Sequence, residues 1–289
     1  MNKPLVYVSL FSIFWAFNIL ASRYVLQRGI HPLTLSAQSL LLTTLMLLVY
    51  VFLFRRQVIW RSSRSSTSGA IISGVVGGGL AGIVSAYGLQ LSTSINFGFL
   101  IKTATAFTVL FAFLFLKEPL SRIKVFYVGI ILVGAYLLST GGKLIVPQVG
   151  DIFILLAAVG YAGAAVINRK IIKKDIDPDV VSFFRALMGF LVAGPVAFLV
   201  AGSIFSTVLL FPVLLASFFQ ALLYVYLNKT LAVASASYMT MMSSMVPVIV
   251  TIFAMPLFSE RLTIVQALGA GLILLGGIAT QKTKIAHHL

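Results

Sequence analysis

The stretch FLKEPLSRIKVFYVGIILVGAYLL, residues 115–138, occurs a second time in altered form as LFSERLTIVQALGAGLILLGGIAT, residues 257–280. A shift of 142 positions carries Glu118 onto Glu260 and Gly134 onto Gly276. Both copies pass from a charged segment into an apolar run that contains glycines. The chain therefore contains an internal repeat whose unit is about half its length.

A second pair of segments supports the repeat. SRYVLQRGIHPLTLS, residues 22–36, aligns with NRKIIKKDIDPDVVS, residues 168–182, at a shift of 146. This shift carries Arg23 onto Arg169 and Pro32 onto Pro178. We therefore divide the chain into two repeats, residues 1–145 and 146–289, which together form one membrane domain.

The composition places the chain in the membrane. Of its 289 residues, 60% are hydrophobic and 9% are charged, and the mean hydropathy is +1.08. Soluble domains carry about 25% charged residues, so this chain lacks the polar side chains to cover a water-facing surface. It contains no cysteine, which excludes disulfides and cysteine-bound metal.

Ten apolar stretches can be placed along the chain, and about 20 residues suffice for a helix to cross the hydrocarbon core. They are residues 4–22, 32–54, 69–91, 96–116, 123–140, 151–168, 180–201, 208–227, 238–257 and 264–280. Each repeat holds five of them. Because five is odd, the second repeat enters the membrane from the opposite side, which is typical of alternating-access transporters. The predicted class is an all-α integral membrane protein of two inverted five-helix repeats.

The positive charges orient the chain. With the N-terminus inside, 15 of the 21 lysines and arginines lie in cytoplasmic segments and 4 lie outside. Only Lys102 and Arg185 lie within spans. Under the positive-inside rule both termini are expected to be cytoplasmic. The basic residues form no stripe with interleaved aromatics, so the net charge of +15 does not indicate nucleic-acid binding.

The chain resembles the EamA-type members of the drug/metabolite transporter superfamily. Each repeat carries the pattern Glu-x-Leu-(eight residues)-Gly-(four residues)-Gly, on Glu118, Leu120, Gly129 and Gly134, then on Glu260, Leu262, Gly271 and Gly276. The family's proline, thirteen residues before this glutamate, is Pro247 in the second repeat but Thr105 in the first. Its early arginine in the second helix is Arg185, where the first repeat has Ser39. The resemblance implies a ten-helix exporter or exchanger of small metabolites, multi-pass in the cell inner (plasma) membrane, with a central cavity.

Polar residues within the first repeat indicate where that cavity lies. Lys102 stands in FGFLIKTATAF, residues 97–107, and a lysine inside a span costs about 2.5–3.5 kcal/mol. Other polar side chains are predicted at its depth, and with it they form the first half of a substrate site: Trp15, Asn18, Gln38 and Tyr87. The alternatives are a lysine that snorkels to the outer interface and interhelical hydrogen bonds that only hold the bundle.

The second repeat contributes a polar face nearer the cytoplasm. Gln220 and Tyr224 share one face of span eight, and Ser244 aligns with Lys102. These three complete the predicted substrate-binding set. Pro247 is expected to kink span nine, and Arg185 is assigned a structural or gating role.

The charges within the membrane favour an anionic ligand. All six acidic residues fall in loops or at span ends, so the lysine has no embedded carboxylate to balance it. The predicted function is a secondary transporter of small amino-acid-like or carboxylated metabolites, acting as a single chain in the lipid bilayer. Alternatives are an exporter of cationic or larger hydrophobic metabolites or drugs, a channel, or a membrane enzyme. No catalytic residue, metal or cofactor is predicted, because no converging acid, base and nucleophile or ligand spacing is present.

Overall fold

The computed structural model describes residues 3–54, 63–140, 148–243 and 245–285, and the elements in them are helices. The helices are α1 (Lys3–Leu26), α2 (Pro32–Phe54), α3 (Arg64–Ser73), a π-helix (Gly74–Leu80), α4 (Ala81–Leu91), α5 (Ser94–Leu100), a 3-10 turn (Ile101–Thr103), α6 (Ala104–Leu116), α7 (Arg122–Thr140), α8 (Val149–Lys174), α9 (Pro178–Ala201), α10 (Leu210–Val233), α11 (Ala236–Met242), α12 (Met245–Phe258) and α13 (Ile264–Ile285). The all-α class is confirmed.

Eight helical stretches in the described part of the chain are long and apolar enough to cross a membrane. Three of them are composite: α3 with the π-helix and α4, α5 with α6, and α11 with α12. The remaining two predicted spans contain shorter apolar helices, Val125–Leu138 in α7 and Ile264–Gly276 in α13. Ten crossings and the direction of the termini therefore stay predictions. Large apolar side chains such as Phe211 and Leu199 cover the outside of the bundle, as contact with lipid requires.

The helices that pack most extensively come from opposite repeats. These pairs are α1 with α10, α2 with α9, α4 with α8, and α7 with α13. The main buried apolar cluster likewise joins residues of both repeats, among them Ile19, Ile131, Ile154 and Val250. The interior of the bundle is thus an interface between the two copies of the repeat.

Glycines let helices of opposite repeats approach closely, both between the π-helix and α9 and between α7 and α13. A Cβ on Gly78 would lie 2.2 Å from the backbone oxygen of Arg185, and one on Gly134 would lie 2.6 Å from the backbone oxygen of Gly269. Gly82 continues the spacing of four in the sequence, but no atom of the described residues outside its own helix lies within 4 Å of its Cβ position. Because lipid supplies no hydrophobic drive between helices, such small-residue contacts carry much of the packing.

A chain of buried hydrogen bonds ties α3, α8, α9 and α10 together. The Ser73 hydroxyl donates to Asn168 Oδ1, and Asn168 Nδ2 donates to Asn228 Oδ1 at 2.9 Å. Asn228 Nδ2 in turn donates to the hydroxyl of Ser182 at 2.9 Å. All four side chains are fully buried. Each amide is satisfied by a side chain from another helix, which is how polar groups are kept within a membrane bundle.

Candidate functional site

Spans four and nine are both interrupted near their middle, at equivalent positions. Helix α5 covers Ser94–Leu100 and α11 covers Ala236–Met242, so the same seven positions are helical in each repeat at a shift of 142. Both helices begin with a hydroxyl cap: Thr93 accepts from the backbone N–H of Asn96, and Ser235 from that of Tyr238. Broken helices within a membrane expose backbone groups, and transporters use them to line binding sites.

Lys102 lies at the break in span four and is buried, with 5% of its surface exposed. Its ammonium donates to the backbone oxygen of Thr240 at 3.0 Å and to the hydroxyl of Ser243 at 2.6 Å. Both acceptors lie where α11 ends, and a cation there complements the negative end of the helix dipole. The lysine therefore connects the break in span four to the end of α11 in the other repeat.

A cavity of about 80 Å³ opens beside this contact. Six of the residues predicted from sequence line it: Trp15, Asn18, Lys102, Arg185, Gln220 and Tyr224. The lining also includes Phe11, Thr105, Thr108, Tyr161, Met239, Thr240 and Ser243. Since α1, the α5–α6 span, α8, α9, α10 and α11 all contribute, the cavity lies between the two repeats.

Arg185 has an unusual environment in this cavity. Its side chain is 4% exposed, and Nη2 donates to the backbone oxygen of Gly77 in the π-helix at 3.3 Å. Nε and Nη1 have no hydrogen-bond partner within the described part of the chain. The guanidinium carbon lies 4.8 Å from the centre of the Tyr224 ring and 5.6 Å from that of Tyr161. A buried guanidinium with unused donors has capacity to bind a ligand.

A second cavity of about 80 Å³ lies toward the opposite end of α1. It shares Trp15, Asn18, Tyr161 and Gln220 with the first and adds hydroxyls from α1, α2 and α4, on Ser22, Ser36, Ser39 and Ser85. The hydroxyls of Ser36 and Ser39 are buried without a partner among the described residues. Two polar cavities therefore meet at a shared wall.

The shared wall consists of two aromatic rings and two amides. The rings of Trp15 and Tyr161 stand edge to face, 6.4 Å apart at 86°. Asn18 Nδ2 donates to the backbone oxygen of Ala216 at 3.0 Å, and Gln220 Nε2 donates to the hydroxyl of Tyr224 at 3.0 Å. These bonds fix the amides in place and leave their oxygens as acceptors at the cavity.

The other predicted site residues lie elsewhere. Gln38 is fully buried and exchanges two hydrogen bonds with the backbone of Ser206, at 2.9 and 3.0 Å. The ring of Tyr87 packs against those of His31 and Phe153. Neither residue lines the two cavities.

Ser244 lies outside the described residues, and Pro247 occupies the first turn of α12. A proline is tolerated there because the N–H it lacks has no partner within the helix. The interruption of span nine lies at Ser243, before the proline, instead of forming a kink at it. Pro247 itself is buried against Gly98.

A carboxylate connects helices at one end of the bundle. Glu260 accepts from the backbone N–H groups of Ser94 and Ile95 at 2.8 and 2.9 Å, and its Oε1 lies 3.9 Å from Arg23 Nε. Arg23 also donates to the backbone oxygens of Leu89 and Gln90. Glu260 therefore caps α5, a helix of the other repeat.

The repeat-equivalent residues meet at the opposite end of the bundle. The Ser237 hydroxyl donates to Glu118 Oε2 at 2.6 Å, and Arg169 donates to the backbone oxygens of Leu231 and Ala232. Glu118 is equivalent to Glu260, Arg169 to Arg23, and Ser237 to Ile95. The same residue types thus join helices at both ends of the bundle, with the Ser237 hydroxyl at the Glu118 end where two backbone amides bind Glu260 at the other.

No aspartate or glutamate lines the first cavity among the residues that the structure describes, whereas Lys102 and Arg185 both do. The described residues also contain no group of three or more histidines, cysteines, aspartates or glutamates that could hold a metal ion. The first cavity is therefore lined by basic side chains from both repeats and by no described acidic one.

A family model matches residues 2–140 and again residues 148–280, and its description is the EamA-like transporter family. The chain belongs to the EamA-like transporter family. It is therefore a multi-pass membrane transporter built from two copies of the family's repeat, as the resemblance predicted.

Comparison with solved structures supports the fold of this family member. A crystal structure superposes on 98% of the chain, over 98% of its own length, with a TM-score of 0.73 at 15% sequence identity. At that identity the likeness concerns the fold alone. None of the curated proteins compared has a significantly similar sequence.

Sequence reasoning missed several residues of the cavity in this transporter. Tyr161 occupies the position of Trp15 at the shift of 146, so extending the repeat alignment along α8 would have identified it. Thr108 lies on span four, and Thr240 and Ser243 lie on span nine; the direction in which they point depends on the two helix breaks. No proline in span four indicates its break in the sequence.

Proposed function

We propose that this transporter is a secondary carrier of small amino-acid-like or carboxylated metabolites and works by alternating access in the plasma membrane. The observation that carries the proposal is the cavity between the repeats, which Lys102 and Arg185 line without an acidic residue among its described lining. Cations on two walls attract a carboxylate, and the surrounding apolar and aromatic surface accepts the body of a small metabolite.

The architecture we propose is ten crossings in two inverted five-helix repeats, residues 1–145 and 146–289, with both termini in the cytoplasm. The shifts of 142 and 146, the two family-model matches and the 15-to-4 distribution of basic residues support it. The two repeats of a single chain line the cavity, and we propose that a monomer forms the pathway.

Alternating access is supported by the equivalent contacts at the two ends of the bundle. At the outer end Glu260 holds two backbone amides and an arginine, while at the inner end Glu118 meets a serine hydroxyl. Exchanging tight and loose packing between the two ends would expose the cavity first to one side and then to the other. The shared wall of Trp15 and Tyr161 lies between the two cavities through which a substrate would pass.

Counterflow in proteoliposomes tests this function. Purified protein is reconstituted with a panel of unlabelled amino acids and organic acids inside, and uptake of labelled solute is measured. We expect saturable exchange of a carboxylated solute, and a loss of that exchange in Lys102→Ala. Lys173→Ala, which changes an exposed lysine, serves as the matched control.

The outcomes separate the candidate functions. Exchange that Lys102→Ala abolishes while the variant stays folded supports both the function and the site. Normal exchange in the variant removes Lys102 from the site. Exchange only of cationic or larger hydrophobic solutes would instead favour the alternative of a cation or drug exporter, and flux that neither saturates nor responds to counter-solute would indicate a channel.

A further inference from the structure

Arg185 and Lys102 differ in how many of their hydrogen-bond donors already have acceptors within the protein. The Lys102 ammonium is held by the Thr240 carbonyl and the Ser243 hydroxyl, at the end of α11. Arg185 donates from Nη2 to the Gly77 carbonyl, whereas its Nε and Nη1 are buried and have no hydrogen-bond partner among the described residues. An ionised group buried without partners is costly, so the guanidinium gains most from a ligand that supplies acceptors.

The arginine is also fixed in place. A Cβ on Gly77 would come within 3.3 Å of the guanidinium carbon, so the π-helix passes directly under the group. The Tyr224 ring, 4.8 Å from the same carbon, covers it from another side. A guanidinium held this rigidly loses little conformational entropy when it binds a planar carboxylate.

The lining offers a second unsatisfied donor. The hydroxyl of Thr108, on α6, is fully buried, lines the same cavity and has no partner in the described part of the chain. Two separate elements, α6 and α9, thus present unused donors to one cavity. A ligand with several hydrogen-bond acceptors can bind the donors of both Arg185 and Thr108.

The charge balance of the cavity restricts the cargo further. An amino acid brings an ammonium as well as a carboxylate, and in this cavity the ammonium would meet two protein cations and no described carboxylate. Like charges at short range in a site of low polarity repel strongly. A carboxylate without an ammonium incurs no such repulsion.

We propose that Arg185 is the primary anion contact of the transporter, binding cargo through its unpartnered Nε and Nη1, and that the preferred cargo is a small organic acid lacking an amino group. This inference rests on the proposed transport function and narrows it. It assigns to Arg185 a specificity-determining role in place of the structural one that the sequence suggested.

Pairs of solutes that differ only in the amino group test the cargo. Glutarate and glutamate are compared as competitors and as labelled substrates in counterflow, with wild-type protein in proteoliposomes. We expect the KM for glutarate to be at least ~10-fold lower than that for glutamate, since removing the ammonium removes its repulsion by the two cations. Equal or better exchange of glutamate overturns the cargo assignment.

Variants test the contact. In Arg185→Gln the KM for glutarate should rise about 10- to 100-fold, the loss expected of a charge-assisted hydrogen bond. Arg185→Lys, which keeps the charge but not the planar donors, should fall between it and the wild type. Arg28→Gln, a change at an exposed arginine, should leave KM unaltered.

Failure of this inference can be distinguished from failure of the transport function. If wild type exchanges glutarate and folded Arg185→Gln does so with unchanged KM, Arg185 is not the contact, and the proposed function stands. If wild type exchanges no carboxylated solute, the proposed function itself is overturned. Should Arg185→Gln not fold, Arg185→Lys tests the contact, and a KM for glutarate equal to that of the wild type would overturn it. Thermal stabilisation of the wild-type protein by glutarate over glutamate tests the cargo alone.

Discussion

Trp15 and Tyr161 stand edge to face at the boundary of two cavities, with ring centres 6.4 Å apart, and they are the same position of the two repeats. The shift of 146 that aligns Arg23 with Arg169 also aligns these two rings. Equivalent residues of inverted repeats meet only where they lie near the axis that relates the repeats. The aromatic pair therefore marks the symmetric centre of the proposed pathway.

The effects of the Trp15 and Tyr161 substitutions on counterflow should depend on each other. We expect Trp15→Ala and Tyr161→Ala each to slow counterflow. The fold-reduction in rate in the double variant should be smaller than the product of the two single fold-reductions. A coupling of ~0.5–1.5 kcal/mol, or about 2- to 13-fold, is typical of an aromatic pair. Phe211→Ala, at a ring that faces outward from the bundle, is the control. Multiplicative effects would show that the rings act independently.

Neutralising Glu260 should loosen the outer end of the bundle. A glutamine can accept from only one of the two amides of Ser94 and Ile95 through its oxygen, and it loses the attraction to Arg23. Hydrogen bonds to a charged group contribute about 1.5–3 kcal/mol each. We expect Glu260→Gln to increase the exposure of the second cavity to the outer solution.

Cysteine labelling measures that exposure without background, since the chain has no cysteine of its own. Ser22→Cys places a thiol in the lining of the second cavity. Reaction with a membrane-impermeant thiol reagent should be about 10-fold faster when Glu260→Gln is present. The equivalent change at the inner end, Glu118→Gln, should not accelerate it. Equal labelling rates in all three proteins would contradict the proposed role of Glu260.

Two glycines at a spacing of four should respond differently to alanine. In Gly78→Ala the new methyl would lie 2.2 Å from the Arg185 backbone oxygen, whereas at Gly82 no atom of the described residues outside its own helix lies within 4 Å. Overpacking costs about 1–3 kcal/mol. Gly78→Ala should lower the melting temperature in detergent and weaken exchange, because α9 carries Arg185. Gly82→Ala should leave the melting temperature unchanged; exchange is not compared for it, because Gly82 lines the second cavity. Similar melting temperatures for the two variants would count against the close packing.

Substitution within the buried chain of hydrogen-bonded amides should lower the free energy of unfolding more than removal of a hydroxyl that bonds within its own helix. Asn168→Ala removes the partner of both Ser73 and Asn228, and a buried group left unpaired costs about 1–3 kcal/mol. Thr44→Val removes a hydrogen bond to Leu40 within one helix and should cost about 0.5 kcal/mol or less. Chemical unfolding in mixed micelles compares the two, and a larger loss in Thr44→Val would refute the ranking.

Several features of the fold followed from sequence. Pro32–Phe54 agrees with the predicted span at both ends, and most other helices extend the predicted spans by a few residues where polar residues continue the helix beyond the apolar run. Hydropathy reports burial in lipid, so it detects the apolar part and misses the polar turns. The site was predictable in part: the face of Trp15 and Asn18 on α1, the buried Lys102, and the face of Gln220 and Tyr224 on α10 all reach one cavity.

Gln38 and Tyr87 show the limit of that reasoning. Both were placed at the depth of Lys102 from their distance to a span end, but depth does not determine the direction in which a side chain points. Gln38 meets the backbone of Ser206 and Tyr87 meets two other rings. Direction depends on how each helix is rotated against its neighbours, and packing between the repeats sets that rotation.

The sequence by itself determined the helical membrane class, the repeat and the family, because hydropathy and an alignment of two halves are properties of a linear pattern. Only the tertiary structure decided which polar groups are left without partners. Lys102 and Arg185 both lie within predicted spans, yet Lys102 is satisfied by the end of a broken helix, whereas two nitrogens of Arg185 have no partner among the described residues. Hydrogen bonding depends on distances between residues far apart in the chain, and these distances arise only when the two repeats pack together.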